Sequence, residues 1–275
     1  MKRYYFIIFM LFICLQLFSN QQEDNQKLEN LKSSLVANGV PIEWIVENLN
    51  SHKFEIYSDI EKLFLNMAEN KVKTKQKDFD WYKNHFGLDK KIQMGTKFIE
   101  RNIETLQKIE DKNGIYFELA VAILGMETNF GQRRYVGNYY IFNTLVSQYL
   151  LLEKREKFAL RELIYLYKMC QKTNKNAYYF VGSYAGACGL GQFIPSSLFN
   201  YFVDVDGIDE NIDIYSLDDN LCSIENYLFK NNLNNSNIDN QKSLFDSVYS
   251  YNRSSAYVNA VLYIYEELKK LREKT

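Results

Sequence analysis

Glycine and proline are concentrated in one short segment of this chain. The 275 residues include only 12 glycines and two prolines, and four of those glycines and one proline fall within Gly182–Ser197, which reads GSYAGACGLGQFIPSS. A chain that uses these residues so sparingly places them where the backbone must bend sharply or approach another group closely. The segment is therefore predicted to form a long turn. Taken alone, its simplest interpretation is a connector between two helices.

Helical periodicity dominates the rest of the sequence. One apolar stripe with i, i+3, i+4 spacing follows Pro41, and another follows Ser254–Ser255, a pair that can cap a helix. Leu145–Gln171 is predicted to be one long helical stretch, and Asn70–Lys77 (NKVKTKQK) a solvated loop. Tyr178–Tyr184 is the single strand candidate. The predicted fold is mainly α, with a small sheet or irregular lobe.

The composition excludes several function classes. Hydrophobic residues make up 47% and charged residues 24% of the chain, and the formal net charge of −1 provides no basic field for nucleic acid. The only histidines, His52 and His85, have no neighbouring candidate ligand or nucleophile, which argues against a histidine-based triad or a zinc hydrolase. The cysteines beyond the N-terminus show no regular spacing, and we expect buried thiols with one bridge allowed at Cys170, Cys188 and Cys222.

The N-terminus has the three parts of a secretory signal. Lys2–Arg3 precede an apolar run from Tyr4 to Phe18, and polar Ser19–Gln22 follow. A helix of this length reaches roughly 22 Å, less than the roughly 30 Å of a hydrocarbon core. We therefore expect residues 1–19 to be a signal peptide that exports the chain to the periplasm or cell envelope. Lipidation at Cys14 and a retained N-terminal membrane anchor are the alternatives.

One carboxylate lies at the end of an apolar helical segment. Glu127 belongs to Tyr116–Gly131 (YFELAVAILGMETNFG), one turn after Ile123–Leu124 and three residues before Phe130. A carboxyl held against apolar groups loses hydration when it ionises, so its pKa rises, as a general acid for a glycosidic oxygen requires. The alternative, slightly favoured by these residues alone, is a helix-terminal glutamate that points into water or bonds to Thr128.

The motif GMETNFG followed by GSYAGACGLGQFIPSS resembles the membrane-bound lytic transglycosylase B family, whose members cleave bacterial peptidoglycan on a lysozyme-like α-helical fold. The resemblance covers most of the exported chain and is carried by Asn38–Pro41, Trp81–Tyr82, Gly95–Phe98, Tyr251–Asn252 and Tyr257–Val261. It implies an α+β, lysozyme-like architecture in which residues 20–275 form the catalytic region. That region would comprise an N-terminal helical part at 28–115 and a lysozyme-like core at 116–275.

The resemblance also implies a set of site residues. Glu127 matches the catalytic acid/base of the family, and the Lys154–Arg155 pair, Arg155 above all, matches a basic pair that would face peptide carboxylates or sugar substituents. The residues that match the sugar-binding cleft are Ser183, Gln192, Tyr227, Tyr251, Asn252 and Tyr257. Tyrosine rings stack on pyranoses, and hydroxyl and amide groups bind N-acetyl and hydroxyl groups. For each tyrosine singly, core packing is an equal alternative.

The implied reaction cleaves the β-1,4 bond between N-acetylmuramic acid and N-acetylglucosamine without water. Glu127 would protonate the oxygen leaving C1 and then take the proton of the sugar's own C6 hydroxyl, which closes a 1,6-anhydro ring. A tethered nucleophile replaces an activated water, so one carboxylate suffices where ordinary glycosidases use two. Whether Glu153, Glu156 or a later aspartate approaches Glu127 stays open. A muramidase and a non-catalytic peptidoglycan-binding scaffold are the alternatives.

In this scheme Gly182–Ser197 becomes the floor of a glycan cleft, where side chains on the glycines would obstruct the sugar. Cys188 within it is expected to pack as a small apolar residue. The expected partners are peptidoglycan glycan strands and no nucleic acid, with membrane contact only through the N-terminal segment. The chain is expected to act as a monomer and to require no cofactor.

An acidic segment follows, and the family often carries an EF-hand-like calcium loop at this place. Asp204–Asp219 contains six aspartates, and the candidate calcium ligands are Asp204, Asp206, Asp209 and Asp213. Ile208 occupies the fifth position of the loop and Tyr215 the twelfth, where the calcium pattern requires oxygen ligands, and the sixth position is not glycine. A solvated acidic turn is therefore the favoured interpretation, with calcium as the alternative.

Overall fold

The computed structural model describes residues 25–74 and 77–272. The predicted signal segment at residues 1–19, including Cys14, lies outside the described residues. Within them, no helix combines the length and apolar character needed to cross a membrane.

The described residues form mainly helices. The helices of the first half are α1 (residues 25–37), α2 (Ile42–Leu49), α3 (Ile60–Thr74), α4 (Phe79–His85), α5 (Leu88–Asn113) and α6 (Phe117–Thr128). Those of the second half are α7 (Ile141–Leu151), α8 (Glu156–Thr173), α9 (Pro195–Tyr201), α10 (Leu217–Lys230), α11 (Gln241–Tyr251) and α12 (Ser255–Arg272). The predicted mainly α fold is confirmed.

The sheet is smaller than the sequence predicts. Strand β1 (Tyr139–Tyr140) pairs antiparallel with β2 (Val181–Gly182), with Tyr139 opposite Gly182. The strand expected over Tyr178–Tyr184 is shortened because Ala177–Tyr179 forms a 3-10 turn. Tyrosine and valine favour strands, but here a tight turn fixes the backbone before the pairing begins.

Two other local predictions are wrong. The long helix expected over Leu145–Gln171 is two helices, because Leu152 has φ −125° and ψ 87° and the chain makes a 3-10 turn before α8. The Arg155 guanidinium stabilises this break by donating to Gln148 Oε1 at 2.9 Å. The loop expected over Asn70–Lys77 is helical as far as Thr74, since lysine is a good helix former and this helix end is solvated.

Helix α6 lies at the centre of the molecule. Its residues from Phe117 to Gly125 are all buried, and it packs against α5, α10 and α12. A helix that is buried on all sides shows no amphipathic pattern, in agreement with its continuous apolar sequence. One apolar core includes residues from Leu31 in α1 to Leu268 in α12. Both predicted parts of the catalytic region, 28–115 and 116–275, contribute side chains to it. The division at 115/116 stays a prediction.

Candidate active site

The chain reverses direction immediately after α6, and this reversal fixes the position of Glu127. Asn129, Phe130 and Gly131 have consecutive positive φ angles of 51°, 65° and 77°. The Phe130 ring folds back beneath α6, where a Cβ atom on Gly125 would approach the ring to 2.7 Å. Phenylalanine rarely adopts this backbone region, so the buried ring contact maintains the conformation. Glu127 therefore occupies the last turn of a rigid, buried helix.

Side chains from two distant helices act on the Glu127 carboxyl, one through a hydrogen bond and the other through its charge. The Tyr257 hydroxyl, at the start of α12, donates a hydrogen bond to Glu127 Oε1 at 2.6 Å. The Lys91 ammonium of α5 donates to the Gly125 carbonyl oxygen at 2.6 Å and to Asn129 Oδ1 at 3.3 Å. Lys91 is thus held against the end of α6, where its charge acts on Glu127. The site combines three helices around one carboxyl group.

The environment of Glu127 places its titration near neutral pH. Burial raises the pKa of the carboxyl from 4.5 to about 7, while the Tyr257 hydrogen bond and the charge of Lys91 oppose the rise. Burial also lowers the pKa of Lys91, and the Glu127 charge opposes that shift. A carboxyl with this pKa is half protonated near pH 7, so it can donate a proton and later accept one. The raised pKa expected from the sequence is confirmed.

Two adjacent cavities form the cleft. The larger, of about 890 Å³, is lined by Glu127, Lys91, Asn252 and Tyr257. It is also lined by apolar side chains of α3, α4 and the residue after α4: Met67, Phe79, Tyr82 and Phe86. The smaller, of about 450 Å³, is lined by Gln192, Tyr227 and Tyr251 among others. Arg253 lines both cavities. These volumes are those of small-molecule binding clefts.

The smaller cavity presents rings whose hydroxyls are already bonded. Tyr227 Oη donates to the Ser250 carbonyl at 2.7 Å, and Tyr251 Oη donates to the Gly191 carbonyl at 2.5 Å. Their ring centroids are 4.9 Å apart. Gln192, at φ 52°, directs its amide nitrogen to Val136 O and Gly189 O. The ring faces and the Gln192 amide oxygen are therefore what these residues can offer a ligand.

The Gly-rich segment is a compact turn that is hydrogen-bonded to α6. The Thr128 hydroxyl of α6 donates to the Leu190 carbonyl at 2.6 Å, which joins the two sequence motifs directly. The glycines are required by the protein's own packing: a Cβ atom would lie 1.8 Å from Ala187 O at Gly182 and 2.7 Å from Ile214 O at Gly189. The sequence-based reason for these glycines, close approach of a sugar, is therefore replaced by close approach of backbone. Within this turn Cys188 is fully buried, as expected.

Two predicted site residues line neither cavity. Ser183 lies in the turn after β2, where its N–H donates to Ala187 O at 2.8 Å. Arg155 donates to Gln148 Oε1 at 2.9 Å and to Ala185 O at 3.3 Å, and its guanidinium stacks 3.9 Å from the Phe158 ring centroid. These contacts hold the Gly-rich turn against α7 and α8. Ligand contacts of Ser183 and Arg155 stay predictions.

Glu127 is the only carboxylate among the described residues that line the two cavities. Glu153 and Glu156, which the sequence left open as second carboxylates, lie at the α7–α8 turn and line neither cavity. The aspartates of the acidic segment also line neither. Two-carboxylate glycosidases place the second group within roughly 5–9.5 Å of the first. Among the described residues, neither cavity supplies a second carboxylate for such a pair.

The acidic segment does not fit a calcium ion. Asp204 Oδ2 accepts the Ile208 N–H at 3.0 Å, Asp209 pairs with Lys172 at 3.1 Å, and Asp213 accepts the Tyr179 hydroxyl. Asp206 is exposed. No group of three or more acidic, histidine or cysteine residues in the described ranges could hold a metal. The four candidate ligands are spread along a segment whose carboxylates bond to the protein itself, whereas calcium requires several oxygens converging on one point.

Sequence reasoning missed Lys91 and Arg253 as cleft residues. Lys91 lies 36 positions before Glu127, and only the packing of α5 against α6 brings them together. Arg253 stands within the SYNRS motif, beside Asn252, but nothing in the local sequence indicates which of these side chains faces the cleft. Asn252 itself lines the larger cavity, as predicted.

Comparison with known proteins identifies the family of this chain. Residues 23–243 match the model of the transglycosylase SLT domain family. Over 146 residues the chain is 30% identical to membrane-bound lytic murein transglycosylase B of Escherichia coli K12. That alignment covers 53% of this chain and 40% of the relative, so it spans less than half the relative's length.

Solved structures show the same fold. Lytic transglycosylase Slt35 of Escherichia coli, in complex with calcium, is 19% identical and has a TM-score of 0.74, with 90% of this chain and 93% of that chain covered. SltB3 of Pseudomonas aeruginosa, in complex with NAG-NAM-pentapeptide, is 19% identical with a TM-score of 0.72, and 90% and 79% of the two chains are covered. The match over most of its length shows that this chain belongs to the transglycosylase SLT domain family.

Proposed function

We propose that this chain is a lytic transglycosylase that cleaves the MurNAc-β-1,4-GlcNAc bond of peptidoglycan and leaves 1,6-anhydro-MurNAc ends. The observation that carries the proposal is the Glu127 carboxyl, whose pKa is about 7 and which faces a cleft lined by Tyr257 and Lys91. Membership of the transglycosylase family and the resemblance to murein transglycosylase B support the same activity.

In the first step Glu127 acts as the general acid. The Tyr257 hydroxyl binds Oε1, which leaves Oε2 to carry the proton to the glycosidic oxygen. Because burial keeps a large fraction of the carboxyl protonated near pH 7, the acid is available without a second carboxylate to raise its pKa. The bond between C1 and this oxygen then breaks, with the neighbouring N-acetyl group assisting at C1.

In the second step the Glu127 carboxylate acts as the base. The Tyr257 hydrogen bond and the Lys91 charge stabilise the anion that the first step forms. The carboxylate takes the proton of the C6 hydroxyl, and the C6 oxygen closes onto C1. The nucleophile is part of the sugar, so its effective concentration exceeds that of any water in the cleft. The proton returns to Glu127, and the site is ready for another cycle.

The binding surface suits a glycan strand. The larger cavity supplies the apolar wall of α3 and α4, and the smaller supplies the rings of Tyr227 and Tyr251, so neighbouring sugars can stack on both sides of Glu127. The peptidoglycan fragment bound by the related SltB3 supports this class of substrate. We infer that the chain acts on glycan strands as a monomer in the cell envelope, with membrane contact only through the N-terminal segment.

Mass spectrometry of products from purified sacculi tests this function. We expect wild-type protein to release muropeptides one water lighter than the reducing-end forms, and Glu127→Gln to release none. Reducing-end products in place of the lighter ones would show a muramidase on the same fold. Binding to sacculi without any product would show a non-catalytic scaffold. Either result would contradict the proposal.

A further inference from the structure

The segment between α11 and α12 is fixed at both ends by site tyrosines. Tyr251 donates to Gly191 O at 2.5 Å on one side, and Tyr257 donates to Glu127 at 2.6 Å on the other. Between them the Ser254 N–H donates to Asn252 O at 2.7 Å, and the Ser254 hydroxyl accepts the Tyr257 N–H at 3.4 Å. The backbone that carries Arg253 is therefore held in place, and only its exposed side chain is adjustable.

Arg253 is the cation at the junction of the two cavities. It lies close enough to Tyr227 for its charge to oppose the burial that raises the pKa of that hydroxyl. The other guanidinium of the smaller cavity, Arg161, is neutralised by Glu162 at 2.8 Å. In the larger cavity Lys91 is turned toward Gly125 O and Asn129. Arg253 forms no ion pair with any carboxylate of the described ranges.

The charges around the cleft favour an anionic ligand at this junction. Of the two arginines among the described lining residues of the smaller cavity, Arg161 is paired with Glu162 and Arg253 has no carboxylate partner. No described lining residue of that cavity is a carboxylate, and Glu127 is the one carboxylate among those of the larger. Guanidinium groups bind carboxylates in a bidentate manner, with two parallel hydrogen bonds. In a strand that carries stem peptides, the lactyl carboxyl of the muramic acid is amide-linked to the peptide, so the free carboxylates available to such a group are those of the peptide.

We propose that Arg253 binds a carboxylate of the stem peptide that the muramic acid residue carries. The inference rests on the proposed function, because the peptide is attached to the same sugar on which Glu127 acts. Arg253 would thereby make the enzyme prefer strands whose peptides bear free carboxylates. This contact is separate from the one predicted for Arg155, whose guanidinium bonds to Gln148 and to Ala185 of the Gly-rich turn.

Paired substrates test this assignment. Sacculi are divided in two, and in one half the peptide carboxylates are converted to amides with carbodiimide and ammonium chloride. Initial rates of anhydro-product release are measured at sub-saturating substrate for wild type, Arg253→Gln and Arg253→Lys. The matched control is Arg101→Gln, which removes one exposed arginine of α5 outside both cavities.

We expect wild type and Arg101→Gln to cleave native sacculi about five-fold faster than amidated sacculi, the scale of an exposed ion pair. Arg253→Gln should cleave both at the slower rate, and Arg253→Lys should keep part of the preference. Equal losses of Arg253→Gln on both substrates, or an unchanged preference, would overturn the proposal. Melting temperatures confirm that each variant is folded. Failure of wild type to release anhydro products from either substrate would instead contradict the proposed function.

Discussion

Two acidic regions of this molecule use the same chemical group for opposite purposes. The end of α6 has a single cleft carboxyl, Glu127, whereas Asp204–Asp219 has six aspartates in sixteen residues. Asp219 accepts the N–H groups of Val205 and Asp213, while the hydrogen bond to Glu127 comes from a tyrosine hydroxyl. The number of acidic residues therefore indicates little about chemistry. What matters is whether backbone donors satisfy the carboxylate or an apolar wall opposes its ionisation.

Burial raises the carboxyl pKa in both regions, but different groups oppose the rise. Burial raises the pKa of Asp219, and the two backbone hydrogen bonds lower it. Burial of Glu127 is opposed only by Tyr257 and the charge of Lys91, and the pKa settles at about 7. Asp219 consequently serves to hold the backbone of its loop, whereas Glu127 changes its protonation within the working range of an enzyme.

Replacing an acidic residue by its amide should affect turnover most at Glu127. Glu127→Gln keeps the size of the side chain and removes the transferable proton, so we expect turnover of sacculi to fall by about a thousand-fold or more while binding is retained. Glu153→Gln, outside both cavities, is the matched control and should keep wild-type turnover. Full activity in Glu127→Gln would remove this residue from the mechanism.

The Tyr257 hydrogen bond gives a second, smaller distinction. Tyr257→Phe removes a donor that lowers the pKa of Glu127, so we expect that pKa to rise and the rate to fall about ten-fold. Since the active form is protonated, the alkaline limb of kcat/KM should move to higher pH. A limb that stays in place or moves to lower pH would show that Tyr257 does not act through the carboxyl. Tyr263→Phe on α12, whose hydroxyl bonds to Asp89, is the control.

The acidic segment should respond in stability and not in catalysis. Asp219→Asn places an amide N–H against a backbone N–H, and we expect the free energy of unfolding to fall by about 2 kcal/mol with activity within two-fold. Asp206→Asn, at an exposed position, should change neither quantity. Calcium or a chelator should leave the melting temperature of wild type unchanged. A calcium-dependent rise would contradict the arrangement described for this loop.

The parts of the fold and site that the sequence predicts are those carried by local signals. Glu127 lies at the end of an uninterrupted apolar helical sequence, and the glycines of Gly182–Ser197 indicate a turn. Both segments could therefore be identified from the sequence, and the family resemblance assigned them to one site. Lys91 reaches the site through packing of α5 on α6, which no local pattern encodes. The break between α7 and α8 has neither glycine nor proline, because tertiary bonds of Arg155 maintain it.

The sequence predicted which residues lie at the turn and the cleft better than it predicted what those residues contact. The glycines of the turn are required, as expected, but Gly182 and Gly189 accommodate the protein's own carbonyl groups. Tyr251 contributes a ring to the cleft and also uses its hydroxyl to hold Gly191, so packing and ligand binding are not alternatives at this position. Distinguishing such roles requires the partner atom, which only the folded structure supplies.

The environment of one carboxyl, Glu127, sets it to donate and accept a proton near neutral pH. Carbon-13 NMR titration of the glutamate side-chain carboxyls tests this directly, with Glu127→Gln used to assign the signal. We expect the Glu127 resonance to titrate with a pKa of about 7. A pKa near the ordinary value of 4.5 would contradict the account, because Glu127 would then be ionised throughout the range in which a general acid is required.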